Sequence, residues 1–213
     1  MSNEFHSGYN SDSIERLAKL FTRFPGIGER QAKRFAYFIL AQQTGYVQSL
    51  ASALTAARAN AHTCTKCLRI FEVGINGESG LCNICSDPKR DQGTIVVVEK
   101  GQDIEAFART DYKGLFFVLG GLIPIIQKNI VEGTHIAYLQ TRITAEKEVL
   151  KELILAFPLT PNGDHTDQAV REILAPMLPE NISITSLGRG LSTGAELEYA
   201  DPASLAASLK KRE

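Results

Sequence analysis

Hydrophobic positions along the chain follow two different rhythms, which change over near residue 94. Before it, apolar residues recur at helical spacing. Ile14, Leu17, Ala18, Leu20 and Phe21 share one face of a helix that Asp12 or Ser13 can cap and that runs to about Arg23. Phe24-Pro25-Gly26-Ile27-Gly28 breaks that helix. A second helix is predicted from about Glu29 to Thr44, and a third, alanine-rich one from about Tyr46 to Ala61. Met1–Ser11 is polar and mixed and reads as a loose arm.

After residue 94 the rhythm is that of buried strands. Ile95-Val96-Val97-Val98 is a continuous β-branched run, expected of a strand covered on both faces. Leu115–Leu119, Leu153–Phe157 and Ile182–Leu187 read as further strands. Gln102–Arg109, His135–Lys151 and about Thr166–Ala175 read as helices between them, and Pro202–Lys211 as a short helix at the end. Strands alternating with helices predict a parallel α/β sheet. The stretch Cys64–Cys85 fits neither rhythm. It has several glycines and few apolar runs, so it needs a staple in place of a core.

Composition adds limits. At 213 residues, with 44% hydrophobic and 22% charged residues, the chain is an ordinary globular one and neither fibrous nor wholly disordered. The longest uncharged apolar stretch, Gly114–Ile126, falls short of the roughly 20 residues of a membrane span. The first residues lack an apolar signal core, so the expected address is the cytosol, with no membrane partner. The net charge of −1 is unevenly spread, at +3 over residues 1–62, zero over 63–85 and −4 over 86–213.

Three groups of residues carry candidate chemistry. The first is the glycine turn. Gly26 and Gly28 permit a tight turn at the start of the second helix, where uncovered backbone N–H groups and the helix dipole suit a phosphate oxygen. Arg23, Arg30, Lys33 and Arg34 flank it, which suggests a helix-hairpin-helix gripping a nucleic-acid backbone without reading sequence. A plain helical hairpin with a solvated basic face has the same pattern.

The second group is Cys64-x-x-Cys67 and Cys82-x-x-Cys85, which can complete a tetrahedral four-sulfur shell for a structural Zn²⁺. A redox pair would need only one Cys-x-x-Cys. His62 stands close enough to compete as a ligand, but the four cysteines already close the shell. The third group is Glu99, directly after the first predicted strand, with Asn162-Gly163-Asp164 after another. Glu99 and Asp164 could hold Mg²⁺ at the carboxyl end of a sheet. The alternative is ordinary loop and cap residues, with Asp164 placed to start the next helix.

Three stretches together resemble the RecR recombination-mediator family. They are Phe24-Pro25-Gly26-Ile27-Gly28-Glu29-Arg30-Gln31-Ala32-Lys33-Arg34, then Cys82-Asn83-Ile84-Cys85-Ser86-Asp87-Pro88-Lys89-Arg90-Asp91, then Arg189-Gly190-Leu191 through Leu197-Glu198-Tyr199-Ala200-Asp201. The resemblance spans about Ile14 to Leu209 and implies a multidomain α+β chain. Residues 1–62 would be a helical region with the helix-hairpin-helix, 63–90 a small four-cysteine zinc finger, 91–190 a Toprim α/β domain with a mainly parallel sheet, and 191–213 a C-terminal tail.

It also implies DNA repair with RecO, and in many bacteria RecF, helping RecA onto single strands coated by single-strand-binding protein. It implies a ring-like homo-oligomer, a dimer or a tetramer, in a bacterial cytoplasm on the nucleoid. Arg30, Lys33 and Arg34 would then face DNA, and Glu99 would take the Toprim glutamate position. The chain departs from the family where Asn162 and Asp164 replace two glutamates, which weakens a Mg²⁺ site. It also departs in the tail, at Ser192 and Ala195. The expected role is therefore a non-catalytic DNA-binding mediator. A Mg²⁺-dependent Toprim nuclease or primase-like enzyme is the alternative, and a zinc-stabilised scaffold that never touches DNA is a third reading.

Overall fold

The computed structural model describes residues 12–72, 80–126, 133–188, 190–191, 194, 196–200 and 202–210. The N-terminal arm, Arg189, Ser192, Ala195, Asp201 and Lys211, all singled out above, lie outside the described residues. The chain divides into two compact units, Met1–Asn60 and Ala61–Glu213.

The first unit is helical, with α1 (Asp12–Phe21), α2 (Glu29–Leu40) and α3 (Thr44–Asn60). Helices α1 and α2 pack through small residues, Ala18, Ala32 and Ala36, with Ala32 and Ala36 fully buried. Small side chains at the contact let the two backbones approach closely. Phe21, at the turn end of the hairpin, packs edge-on to Phe24 at 5.7 Å and to Phe35 at 5.9 Å. Helix α1 ends at Phe21, two residues before the predicted Arg23, because the chain already turns at Thr22. Helix α3 buries none of its residues within the unit.

The second unit opens with a hairpin that the pattern did not show, β1 (Ala61–Thr63) antiparallel to β2 (Ile70–Glu72). Then come β3 (Thr94–Val98), a 3-10 turn at Gly101–Asp103, α4 (Ile104–Phe107), β4 (Leu115–Val118), α5 (Ile136–Glu146), β5 (Glu152–Ala156), α6 (Pro161–Leu174), β6 (Ser183–Ser186) and α7 (Pro202–Lys210). The last four strands form one parallel sheet in the order β4-β3-β5-β6. Two parallel neighbours of β3 reach it from opposite sides, so the strand order reverses between β3 and β5.

Alternation along β3 and β4 divides two cores. Ile95, Val97, Leu115 and Phe117 pack with Leu153, Leu155, Ile136, Leu139, Val170 and Leu174. Val96, Val98, Phe116 and Val118 pack with Ile104, and against Phe107 and Tyr112. With both faces covered, period-2 polarity disappears, which is why these strands read as continuous apolar runs.

Helix α6 starts at Pro161, five residues before the expected Thr166. Thr160 is its cap, accepting a bond from the Gly163 N–H at 3.1 Å, and Pro161 fits the first turn. Asp164 is therefore inside the first turn and is not the cap. The predicted helix Gln102–Arg109 is cut to a 3-10 turn and the single turn of α4.

The loop between the finger and β3 is pinned by Asp91. Its carboxylate accepts from the Gly93 N–H at 2.8 Å and the Thr94 hydroxyl at 2.7 Å, while its own N–H donates to Lys113 O. The Thr94 hydroxyl, followed by the Gly93 N–H, holds the Asp91 carboxyl below its ordinary 3.8.

Ala36→Leu should overpack the α1–α2 contact and cost about 1–3 kcal/mol of helical-unit stability, read from urea denaturation by circular dichroism. For Asp91 the expectation concerns pH. A depressed folded pKa contributes stability that is present above the ordinary value and lost as pH falls through the folded one. The stability gap between the natural chain and Asp91→Asn should therefore be constant above about pH 5 and close progressively in more acid solution. A gap that does not change with pH would remove Asp91 from this role.

Candidate functional site

Cys64, Cys67, Cys82 and Cys85 come together in the second unit, all buried, with all four sulfurs within 4.8 Å of one another. Two matching backbone turns deliver them. Leu68 N–H donates to Cys64 O at 2.9 Å, and Ser86 N–H donates to Cys82 O at 3.0 Å, so each Cys-x-x-Cys curls around its own pair. The Cys82 N–H also points at Cys64 Sγ, at 3.4 Å. Leu68 adopts a left-handed φ of 59°. That costs a non-glycine residue about 1–2 kcal/mol, which burial of the leucine against the sheet core helps to offset.

Cys67 and Cys82 sulfurs lie 3.7 Å apart. A disulfide needs about 2.05 Å, whereas the edge of a tetrahedron with metal–sulfur bonds of about 2.3 Å is about 3.8 Å. All four cysteines are free thiols. The Cys64 thiol is pushed far down by hydrogen bonds from Cys67, Cys82 and Cys85. Cys67 and Cys85 are pushed up, first by their bonds to Cys64, then by Cys82 for Cys67 and by Cys67 and Cys82 for Cys85, and by burial. Against an opposing contact to Cys64, Cys82 is also pushed down by its contacts to Cys67 and Cys85, so the four sulfurs form one coupled cluster that a cation can complete. The four cysteines can hold a metal ion, and they are the one group of three or more such ligands among the described residues. His62, on β1, is exposed, stacks near Phe71 and lies outside the quartet.

The finger is fastened to the sheet by side chains whose role the sequence did not show. Ile84 packs against the cysteine cluster and both sheet cores. Arg90 donates to Gly114 O at 3.0 Å and Tyr112 O at 3.3 Å and lies over the Phe116 ring. Arg142, on α5, is buried and donates to Lys66 O at 3.2 Å, Phe116 O at 2.8 Å and Glu146 at 3.0 Å. Lys66 joins the same Glu146 carboxylate at 3.0 Å.

In the first unit, Gly26 has φ +75°, a conformation that side chains disfavour, and the chain turns there into α2. Gly28 is the α2 N-cap and offers no capping side chain, so the first amides of the helix are left to other acceptors. Arg30, Lys33, Arg34 and Tyr37 are exposed at helical spacing on one face of α2, opposite Ala32 and Ala36. Arg34 also donates to Gln31 at 3.3 Å. Arg23 is exposed within the turn that leads to Gly26. Arg23, Gly26, Gly28, Arg30, Lys33 and Arg34 are thus all exposed, on one turn and the helix that follows it.

Glu99 leaves the carboxyl end of β3 and Asp164 follows β5, so they flank the point where the strand order reverses. The loop between is fixed. A side chain at Gly163 would collide with Pro158 O, and the buried Thr166 hydroxyl donates to Asn162 O while accepting from the Ile123 N–H at 2.8 Å. Glu99 pairs with Lys100 at 2.9 Å, and Asp164 and Asn162 are exposed. Neither Glu99 nor Asp164 belongs to a group of three or more His, Cys, Asp or Glu ligands among the described residues. Asp164 instead lines a small cleft of about 160 Å³ with Asp167, Ser186 and Leu187.

No helix among the described residues is long and apolar enough to cross a membrane. Comparison with known proteins matches the same architecture. The RecR helix-hairpin-helix family covers residues 14–58, the Toprim domain covers 93–187 and the RecR C-terminal family covers 190–213. A recombination protein RecR of Lacticaseibacillus casei is 35% identical over 202 residues, 94% of this chain and 96% of its own length. That of Treponema denticola is 39% identical over 202 residues, 94% of this chain and 98% of its own. That of Amoebophilus asiaticus is 35% identical over 205 residues, 96% and 97%. With its glycine hairpin, four-sulfur cluster and parallel sheet in the same order along the chain, this protein belongs to the RecR family of recombination proteins.

Proposed function

We propose that the protein is a non-enzymatic mediator of recombinational DNA repair in the bacterial cytoplasm, holding DNA through its first helical hairpin. The observation that carries this is the exposed Arg30–Lys33–Arg34 face beside the uncapped start of α2. Backbone amides and flexible cations recognise phosphates, which every sequence shares, so binding on this hairpin is tolerant of sequence. Arg23, Gly26 and Gly28 complete the grip. Such a protein suits a partner role with RecO, and with RecF where present, in helping RecA displace single-strand-binding protein.

Zn²⁺ is the ion this reading places among Cys64, Cys67, Cys82 and Cys85, because four thiolates in tetrahedral spacing suit it. With four protein sulfurs on it, no position remains for a water to activate, and its contribution is to hold the finger folded. Assembly of several copies into a ring belongs to the same reading. It is supported by α3, which buries none of its residues within its unit and leaves Leu54 on the surface. A ring would gather the +3 charge of residues 1–62 from every copy around the DNA.

The double change Arg30→Ala with Arg34→Ala should weaken single-strand binding about tenfold or more and lower the slope of log affinity against log salt by about 1.5. Unchanged binding would move the interface off the hairpin. Strand cleavage or primer synthesis in Mg²⁺ that vanishes in Glu99→Gln would replace the mediator reading with an enzymatic one.

Elemental analysis of the pure protein should give about one zinc per chain, and Cys64→Ser should lose the metal and open the finger to proteolysis. A metal-free protein with a protease-resistant finger would refute the zinc assignment.

A further inference from the structure

A larger cleft of the second unit lies off the carboxyl ends of β3 and β4, across the sheet from the Asp164 cleft at β5 and β6. Its volume is about 420 Å³, which falls within the roughly 300–1,000 Å³ of small-molecule sites. A lone ion would leave most of it unfilled. One wall is Leu68, Arg69 and Ile70, just after the first cysteine pair. The other comes from the loops that leave β3 at Lys100 and β4 at Gly120.

Three basic side chains converge on it. Arg69 reaches from the finger to the sheet with its stem beside Gly101, where a side chain would touch Arg69 Cγ at 3.6 Å. Its Nη2 donates to Asn83 at 2.6 Å, which fixes the guanidinium, while its Nε is buried with no partner among the described residues. A buried charged donor left unpaired is costly, so this position calls for an acceptor brought by water or by a ligand. The His135 ring packs on Gly120, whose φ of +92° and missing side chain permit the approach. His135 Nδ1 donates to Val118 O at 2.9 Å, since a carbonyl only accepts, and Nε2 is the ring's remaining polar atom. Lys100 adds an exposed ammonium at the rim, 2.9 Å from Glu99.

The rest of the lining does not suit a bare anion. Leu68 and Val118 give apolar surface, and Ile70 stands 71% exposed beside them. Glu105, on α4, brings a carboxylate and Gln102 an amide. A carboxylate repels a polyanion but accepts from a hydroxyl or amino group. The matching ligand has one anionic group for the basic side chains, a body that can lie on Ile70, and donors for Glu105. No Phe, Tyr or Trp among the described residues lines the cleft, so it lacks the stacking platform with which a groove tracks successive bases. It is a place for one nucleotide and not for a run of them.

We propose that this cleft binds a nucleoside monophosphate, either free or as the phosphorylated end of a DNA strand. The strand-end form rests on the DNA-binding reading above, whereas the cleft and the free nucleotide do not. An internal phosphodiester carries a nucleotide on each side, but a terminal phosphate can enter a concave site with one. A hairpin that ignores sequence would thereby be joined to a site that senses where a strand ends.

The full chain is titrated with thymidine 5′-monophosphate, thymidine and inorganic phosphate while the His135 imidazole signals are followed by NMR. The monophosphate should give a saturable shift, and the other two should bind about tenfold more weakly or less. In parallel, oligothymidylate with a phosphorylated 5′ end should bind about fivefold tighter than the same strand with a hydroxyl end. Ile70→Glu, at an exposed position, and Arg69→Gln should each abolish both effects. Arg30→Ala with Arg34→Ala should weaken binding of both strands alike and leave the monophosphate titration unchanged.

A monophosphate shift without an end preference assigns the cleft to the free nucleotide, and an end preference alone assigns it to strand ends. Absence of both, or their survival in both Ile70→Glu and Arg69→Gln, would overturn the cleft as a site. Inorganic phosphate binding as tightly as the monophosphate would overturn the nucleoside. A natural chain that binds no DNA would sink the hairpin reading alone, and the monophosphate titration would still decide the cleft.

Discussion

The second unit depends on how a short parallel sheet can end. A strand at its margin has apolar side chains on both faces and unpaired backbone groups along one side, and water cannot satisfy the second without exposing the first. Here the margin is β4, and the groups that settle it come from the chain just before the sheet and from α5. Arg90 and Cys67 reach it from the finger segment, and Arg142 reaches both strand and finger from the far side. The finger has little core of its own, only four cysteines with Phe71, Leu81 and Ile84 around them. It is small, and it lies where the sheet margin has backbone groups to satisfy. The contacts through Cys67, Arg90 and Arg142 explain why the two pieces fall within one compact unit.

The same logic explains the motif Cys82-x-Ile84-Cys85-x-Asp87-x-x-Arg90-Asp91. Read as a string, its cysteines announce a metal and the rest carries no chemistry. In the fold, Ile84 inserts among three cores, Arg90 caps Gly114 O and stacks on Phe116, and Asp91 ties the chain to Gly93, Thr94 and Lys113. These residues form a joint between finger and sheet. Their partners lie up to a few tens of residues away in sequence, beyond the reach of any local pattern.

What could be read locally was set by local physics. The β-branched run of β3 announced a strand buried on both faces because burial on both faces is what removes alternation. The cysteine quartet was legible because ligand spacing is itself local. The start of α6 was missed since Thr160-Pro161 is cap chemistry that a hydrophobic count passes over, and the same error made Asp164 look like a cap. Hairpin β1–β2 was missed because three-residue strands beside a cysteine turn carry almost no periodic signal. Arg142, in a stretch read only as helix, gave no sign that it would be buried. Its contact to Phe116 exists only once α5 lies on the sheet, and its contact to Lys66 only once the finger has docked.

The hairpin shows the complementary case, in which the proposed function needs little beyond the local. Gly26 sets the turn, Gly28 leaves the helix start uncapped, and residues four and three apart on α2 set the cationic face. Phosphate recognition needs only such amides and charges, so a protein indifferent to DNA sequence can write most of its interface in about a dozen consecutive residues. The carboxyl end of the sheet differs. There Gly163 and Thr166 hold a loop rigidly where β3 and β5 diverge, yet the position where the family resemblance expects an acid is the neutral Asn162. A geometry kept without its charge suits a platform within the sheet better than a cation site. The near-zero net charge of the chain therefore says little about its partner, because its exposed basic residues Arg23, Arg30, Lys33 and Arg34 are concentrated on one turn and one helix face.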